Sequence, residues 1–183
     1  MYKNTFKKEA LAKGEMSVYD FGEIKLHAYK TNDLIDDEVF IIEKSGNAVI
    51  IEAPCFFDNI AELTGYLADK SLKPCAMLLS YHMAGASFLK EATTPVYATA
   101  NADAYGHTGG GAALIKNFTA AFGDSFDSAI FTVTNVIDGD ITLCGIDFKI
   151  TPTNEAFDIE IPQIGAVYTH MMGHDCHSIV AGE

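Results

Sequence analysis

Basic residues are scarce in this sequence. Among 183 residues, 12 are Lys or Arg and 25 are Asp or Glu, for a formal net charge of −13 with neutral histidines. So few cations cannot cover a broad face, which excludes phosphate-backbone binding and leaves no nucleic acid among the expected partners. Anionic membrane surfaces are disfavoured for the same reason. No apolar run approaches the roughly 20 residues that span a bilayer, so no membrane partner is expected either. Residues 1–13 carry Lys3, Lys7, Lys8 and Lys13 but no following hydrophobic block, so they do not read as a secretory signal. Cysteines are few and scattered: Cys55, Cys75, Cys144 and Cys176 form no C-x-x-C pair. They read as reduced, mostly buried thiols in a cytoplasmic protein. A G-x-S-x-G elbow, a G-x-G-x-x-G fingerprint and a P-loop are absent, which removes the commonest signatures of serine hydrolases and nucleotide binders.

What is present is an ordinary globular composition, 49% hydrophobic and 20% charged. Such a chain buries a core and reads as one domain over residues 1–183. Residues 17–21 and 23–29 are expected as strands about Gly22, after a ragged polar lead-in over residues 1–16. Residues 39–43 and 48–52 flank Ser45-Gly46-Asn47 as a hairpin, and their β-branched runs predict strands covered on both faces. Asn59 is the expected N-cap of a helix carrying the stripe Ile60, Leu63 and Leu67, with Glu62 three residues after the cap.

The apolar run 76–79 reads as a buried strand ending at Ser80-Tyr81-His82. Loops beyond the carboxyl ends of such strands are where α/β proteins build sites. A helix over 86–92, a strand over 96–98 and helices over 101–105 and 113–122 are expected next, with Thr108-Gly109-Gly110-Gly111 as a flexible break. Strands follow over 131–134, 141–144, 146–150, 156–161 and 166–169. The segment His170-Met171-Met172-Gly173-His174-Asp175-Cys176-His177 comes after the last of them. Hairpins, then alternating helix and strand, then hairpins predict an α+β protein of two mixed sheets with helices outside.

The strand Val49-Ile50-Ile51-Glu52, the capped helix, the strand 77–80 and its His-bearing loop resemble the layout of the metallo-β-lactamase fold. The hairpin Asp138-Gly139-Asp140 to Gly145-Ile146-Asp147 and the strand Ala166-Val167-Tyr168-Thr169 extend the resemblance from about Ser17 onward. It implies an αββα sandwich with one or two metal ions, often zinc, at one sheet edge, and hydrolysis of small substrates. It also implies further helix and strand beyond residue 183, so the domain reads as shortened at its C-terminus, and its uncovered edge as closed by a second copy in a homo-oligomer.

The family's H-x-H-x-D-H signature is degenerate here. Its ligand places hold Tyr81, Met83, Gly85 and Ala86 in one register, and Ser80, His82, Ala84 and Gly85 in the other. Asn154 stands where the third ligand His belongs, and His170 where the acidic ligand belongs. Zinc takes three or four N, S or O ligands in roughly tetrahedral array, which one signature His cannot supply.

Two readings follow. In the first, the usual dinuclear zinc site is lost and the cleft serves a small-molecule ligand. In the second, a divergent hydrolase of a small ester, thioester or lactam-like substrate rebuilds a site for zinc or another divalent transition metal. Its ligands would come from His82, His170, His174, Asp175 and His177; positions 170, 174 and 177 would share a face if the segment were helical. Tyr81 and His82 are the candidates for acid–base work without a metal. Ser80, Ser87 and Cys176 are weaker nucleophile candidates. Glu155, Asp158 and Glu160 read as a solvated edge.

Overall fold

The computed structural model describes residues 5–81, 83–170 and 178–181. Strands β1 (Thr5–Ala10), β2 (Gly14–Asp20), β3 (Ile24–Thr31), β4 (Glu38–Lys44) and β5 (Asn47–Ile51) form an antiparallel meander. Strands β6 (Lys73–Leu78), β7 (Val96–Thr99) and β8 (Asn135–Ile137) extend it with parallel neighbours. The eight strands lie in sequence order. Parallel neighbours need crossovers. Helix α1 (Phe57–Asp69) supplies the first, and α2 (Ala100–Thr108) with α3 (Gly110–Phe122) supplies the last. A second, antiparallel sheet runs β13-β12-β11-β10-β9, from β9 (Ile141–Leu143), β10 (Ile146–Pro152), β11 (Phe157–Ile161), β12 (Ala166–Thr169) and β13 (Ser178–Ala181). The chain is thus an α+β sandwich of two sheets with helices outside, as expected.

The core lies between the sheets and under α1. Alternate residues of β4 serve both sides. Phe40 meets Tyr168 of β12 edge-on, with ring centroids 5.9 Å apart. Val39 and Ile41 face the α1 side, and all of residues 39–42 and 48–51 are at most 1% exposed. That double burial is why their sequence is a continuous β-branched run rather than an alternation. The outer face of the second sheet is wet: β10 alternates buried and exposed residues, and Lys149 pairs with Glu160 at 3.1 Å.

Several expectations are corrected. The polar lead-in contains β1, which the lysines disguise because an edge strand tolerates charge on both faces. Helix α1 begins at Phe57, and Asn59 lies inside it. The Asn59 side chain does not cap; its Nδ2 donates to the Lys13 carbonyl at 2.8 Å and to the Tyr29 hydroxyl at 3.0 Å. The helix over 86–92 is reduced to a single 3₁₀ turn, Lys90–Ala92. Leu89 and Thr93, at φ 55° and 48°, interrupt it on either side. Residues 131–134 are not a strand. The Phe131 N–H goes to the Met83 carbonyl instead, and β8 follows only at Asn135.

The thiols are corrected as well. Cys75, at the start of β6, is disulfide-bonded to Cys144 in the β9–β10 turn, with Cα atoms 6.8 Å apart. A separation of 69 residues hid that pairing from the sequence. Cys55 is a buried free thiol that donates to Asp37 Oδ2 at 3.2 Å. Burial first, then the nearby Asp37 charge, pushes it far above the ordinary thiol range, so it is inert. Among the described residues no helix is long and apolar enough to cross a membrane.

Candidate functional site

Three chain segments converge where β6, β10 and β12 end. Beneath them lies Glu52, at the end of β5, 1% exposed. Its Oε1 accepts from the Ser80 N–H at 2.9 Å, the Tyr81 N–H at 3.2 Å and the Tyr168 hydroxyl at 2.8 Å. One carboxylate oxygen thereby ties β5, the loop after β6 and β12 together across both sheets. Glu52 holds a left-handed φ of 63° to do so, a costly conformation that its bonds over-determine. Burial, reinforced by the Glu52 charge, pushes the Tyr168 hydroxyl well above its ordinary range, so it remains a donor.

Ser80 has no nucleophilic role. It is fully buried, its hydroxyl donates to the Phe157 carbonyl, and its oxygen accepts from the Phe157 N–H at 3.0 Å. Next to it, Tyr81 carries an aromatic stack. Its ring lies on the His170 ring with centroids 3.5 Å apart and planes 20° apart. The Tyr105 ring from α2 is 5.0 Å away, and the two tyrosine hydroxyls are 2.8 Å apart. The glycine run 109–111 is no loose break. A Cβ at Gly110 or Gly111 would come within 2.9 Å of the Tyr105 ring, so the small residues let α3 start against it.

The degenerate signature places are packed rather than open. Met83 is 1% exposed and pressed against Gly106 of α2, where a Cβ would not fit. Gly85 has a φ of 89°, and a Cβ there would run into the Pro54 carbonyl. The Gly85 and Ala86 N–H groups donate to the Asp127 and Ala129 carbonyls at 3.0 and 3.1 Å. Asp127, 3% exposed, accepts from the Ser87 N–H at 2.8 Å and the Ala129 N–H at 3.1 Å. This carboxylate holds the loop shut. Ser87 takes part only through its backbone.

A cleft of about 440 Å³ opens beside the stack, lined by Asn154, Glu155, Asp158, Thr169 and His170 among others. The structure therefore brings Tyr81 and His170 into contact and puts the Asn154 loop in the same cleft as His170. Glu155 and Asp158 belong to this cleft rather than to a plain solvated edge. His82, His174, Asp175, Cys176 and His177 lie outside the described residues. Among the described residues no group of three or more His, Cys, Asp or Glu could hold a metal ion. In either register of the signature the described residues there (Tyr81, Met83, Gly85 and Ala86, or Ser80, Ala84 and Gly85) offer no histidine or carboxylate, and the His170 ring is packed on Tyr81, so the described residues do not fit a zinc centre.

Sequence reasoning missed Glu52 and Asp127. The available signal for Glu52 was an acid closing the wholly apolar run Val49-Ile50-Ile51 just before Ala53-Pro54. Asp127, between Phe126 and Ser128, gave no comparable signal.

Neither a family model nor a curated protein matches the sequence. Solved structures do. The chain is similar to the BLEG-1 B3 metallo-beta-lactamase, with a TM-score of 0.57 and 16% identity over 73% of this chain and 66% of that one. It is similar to a double mutant of the sec-alkyl sulfatase PisA1, with a TM-score of 0.52 and 14% identity over 81% of this chain and 30% of that one. A metallo-beta-lactamase from Staphylococcus aureus subsp. aureus COL gives a TM-score of 0.51 and 14% identity over 78% of this chain and 38% of that one. The chain spans two thirds or less of the length of each. Identities this low carry the fold and no further property. Strand order, the two packed sheets and these likenesses agree: the chain has the metallo-β-lactamase fold.

Proposed function

We propose that this protein binds a small molecule in the strand-end cleft and lacks the dinuclear zinc chemistry usual for its fold. One observation carries the reading: where metal ligands are expected, Met83, Gly85 and Ala86 are packed, Asn154 replaces a histidine, and His170 is stacked on Tyr81. The cleft offers the carboxylates of Glu155 and Asp158 together with Asn154 and Thr169, and among the described residues no lysine or arginine lines it. Acceptors and negative charge favour a small amine-bearing ligand. Isothermal titration with a panel of primary amines and matched carboxylates tests this. Saturable amine binding lost in Asp158→Asn supports it; equal or better carboxylate binding contradicts it.

The second reading, a rebuilt metal centre, draws support from the same stack. Tyr81 on His170 brings the chain neighbour of His82 beside the start of the 170–177 segment. In that reading His82, His170 and His174 or His177, with Asp175, hold zinc or another divalent metal for hydrolysis of a small ester, thioester or lactam. Stoichiometric zinc together with turnover abolished by His82→Ala would establish it over the first.

A further inference from the structure

Cys75 and Cys144 both sit where the backbone departs from regular geometry. Ala48 and Val49 are consecutive on β5, but their partners on β6 are Pro74 and Ala76, so Cys75 is the extra residue of a β-bulge. Bulges re-aim side chains. Here the bulged residue has no ladder partner on β5 and reaches the second sheet instead. Among the described residues its bond to Cys144 is the one covalent tie between the sheets.

Cys144 is at the tip of a hairpin. Leu143 pairs with Ile146, which leaves Cys144 and Gly145 as a two-residue turn. Both hold a left-handed φ, 52° and 76°, as a type I′ turn requires. Gly, Asn and Asp favour that turn, so local preference alone does not account for a cysteine there. The tip is also held without the bond. Lys44 Nζ at the end of β4 donates to the Gly145 carbonyl at 2.9 Å, and Leu143 and Ile146 on either side of the turn are buried. Opening the bond therefore leaves the hairpin docked.

The two sulfurs differ in access. Cys144 is exposed on the turn, whereas Cys75 is half-buried in the sheet. In thiol–disulfide exchange a thiolate attacks one sulfur in line with the S–S bond and the other sulfur leaves, so access decides which sulfur is taken. Attack on Cys144 comes from the solvent side of a hairpin tip. Attack on Cys75 has to come through the bulged strand that carries it. Cys55, buried and donating to Asp37, does not compete as an attacking thiol.

We propose that Cys144 is a modification site for small-molecule thiols, with Cys75 as the leaving and then the resolving thiol. A small thiolate bonds to the Cys144 sulfur, the Cys75–Cys144 bond breaks, and the electron pair leaves on Cys75, which takes up a proton. One disulfide replaces another, so the step needs no further oxidant or reductant. In the reverse direction the Cys75 thiolate attacks Cys144, expels the small thiol and restores the tie between the sheets. The contacts of Lys44, Leu143 and Ile146 keep the two cysteines close enough for that return.

Peptide mapping of the full folded chain tests the proposal, after brief exposure to reduced glutathione, an acid quench and alkylation of free thiols. Lysine spacing puts each of the four cysteines on its own tryptic peptide. The expected result is glutathione on the peptide 117–149 and alkylation on the peptide carrying Cys75, with Cys144 adducts in about tenfold excess over Cys75 adducts. Oxidised glutathione is expected to load Cys144 in Cys75→Ser about tenfold faster than it loads Cys75 in Cys144→Ser. Circular dichroism reports whether the variants are folded, and the mapping of the parent chain decides alone if one is not. No adduct on the folded protein while the urea-unfolded protein reacts, or equal loading of the two sulfurs, would overturn it.

Discussion

The His170 ring lies face-on to the Tyr81 ring, 3.5 Å between centroids, and the Tyr81 hydroxyl reaches the Tyr105 hydroxyl at 2.8 Å. The rim of the strand-end cleft is thus held by ring packing. Removing the hydroxyl pair with Tyr105→Phe is expected to cost about 1 kcal/mol. Tyr81→Ala, which deletes two ring contacts, is expected to cost about 2 kcal/mol. Urea unfolding followed by circular dichroism measures both, and a Tyr81→Ala protein as stable as the parent would show that the stack contributes nothing.

Glu52 is the polar anchor of the same region. Glu52→Ala leaves the Ser80 N–H, the Tyr81 N–H and the Tyr168 hydroxyl without their shared acceptor. The expected loss is about 3 kcal/mol or more, because unmet buried donors keep their full desolvation cost. Glu52→Gln retains an acceptor oxygen and is expected to lose less. The ordering Ala worse than Gln, read from unfolding midpoints at unchanged slope, is the check.

Legibility from sequence followed the physics of each segment. Strands β4, β5, β10, β11 and β12 could be read because continuous burial or clean alternation leaves a periodic trace. β1 could not, since Lys7, Lys8 and Glu9 on an edge strand look like a solvated tail. The loop after β6 was located correctly, but its conformation was not. Left-handed Leu89 and Thr93 interrupt any helix over 86–92, while Asp127 and Ala129, some forty residues away, fix the segment's start through the Gly85, Ala86 and Ser87 N–H groups. Of the cleft, Tyr81, Asn154 and His170 were singled out through the family layout, while Glu52 and Asp127 act mainly through backbone donors and leave no motif.

The disulfide between Cys75 and Cys144 fastens the first sheet to the β9–β10 turn. Closing a loop of 69 residues is worth about 4 kcal/mol in the chain-entropy picture. Reduction with dithiothreitol, or Cys144→Ser, is expected to lower the unfolding free energy by that order, and a thiol count on the denatured, unreduced protein should find these two blocked. Two reactive thiols at those positions would contradict the bridge.

Acid should destabilise the protein through His27. Its folded value lies below the ordinary histidine value, because burial outweighs Glu43, with Lys25 and Lys70 adding to the lowering. The unfolded chain therefore takes up the proton first. The stability contributed by the neutral ring is present above about pH 6.5 and is lost as pH falls toward the folded value. His27→Gln is expected to flatten the stability profile below that pH. An unchanged profile would assign the acid sensitivity to other groups.

The most direct test of the central claim is the zinc content of untagged protein incubated with excess zinc and then desalted. The account predicts far below one equivalent per chain, unaltered in His170→Ala. One equivalent or more, lost in His170→Ala, would contradict it and establish a rebuilt metal centre.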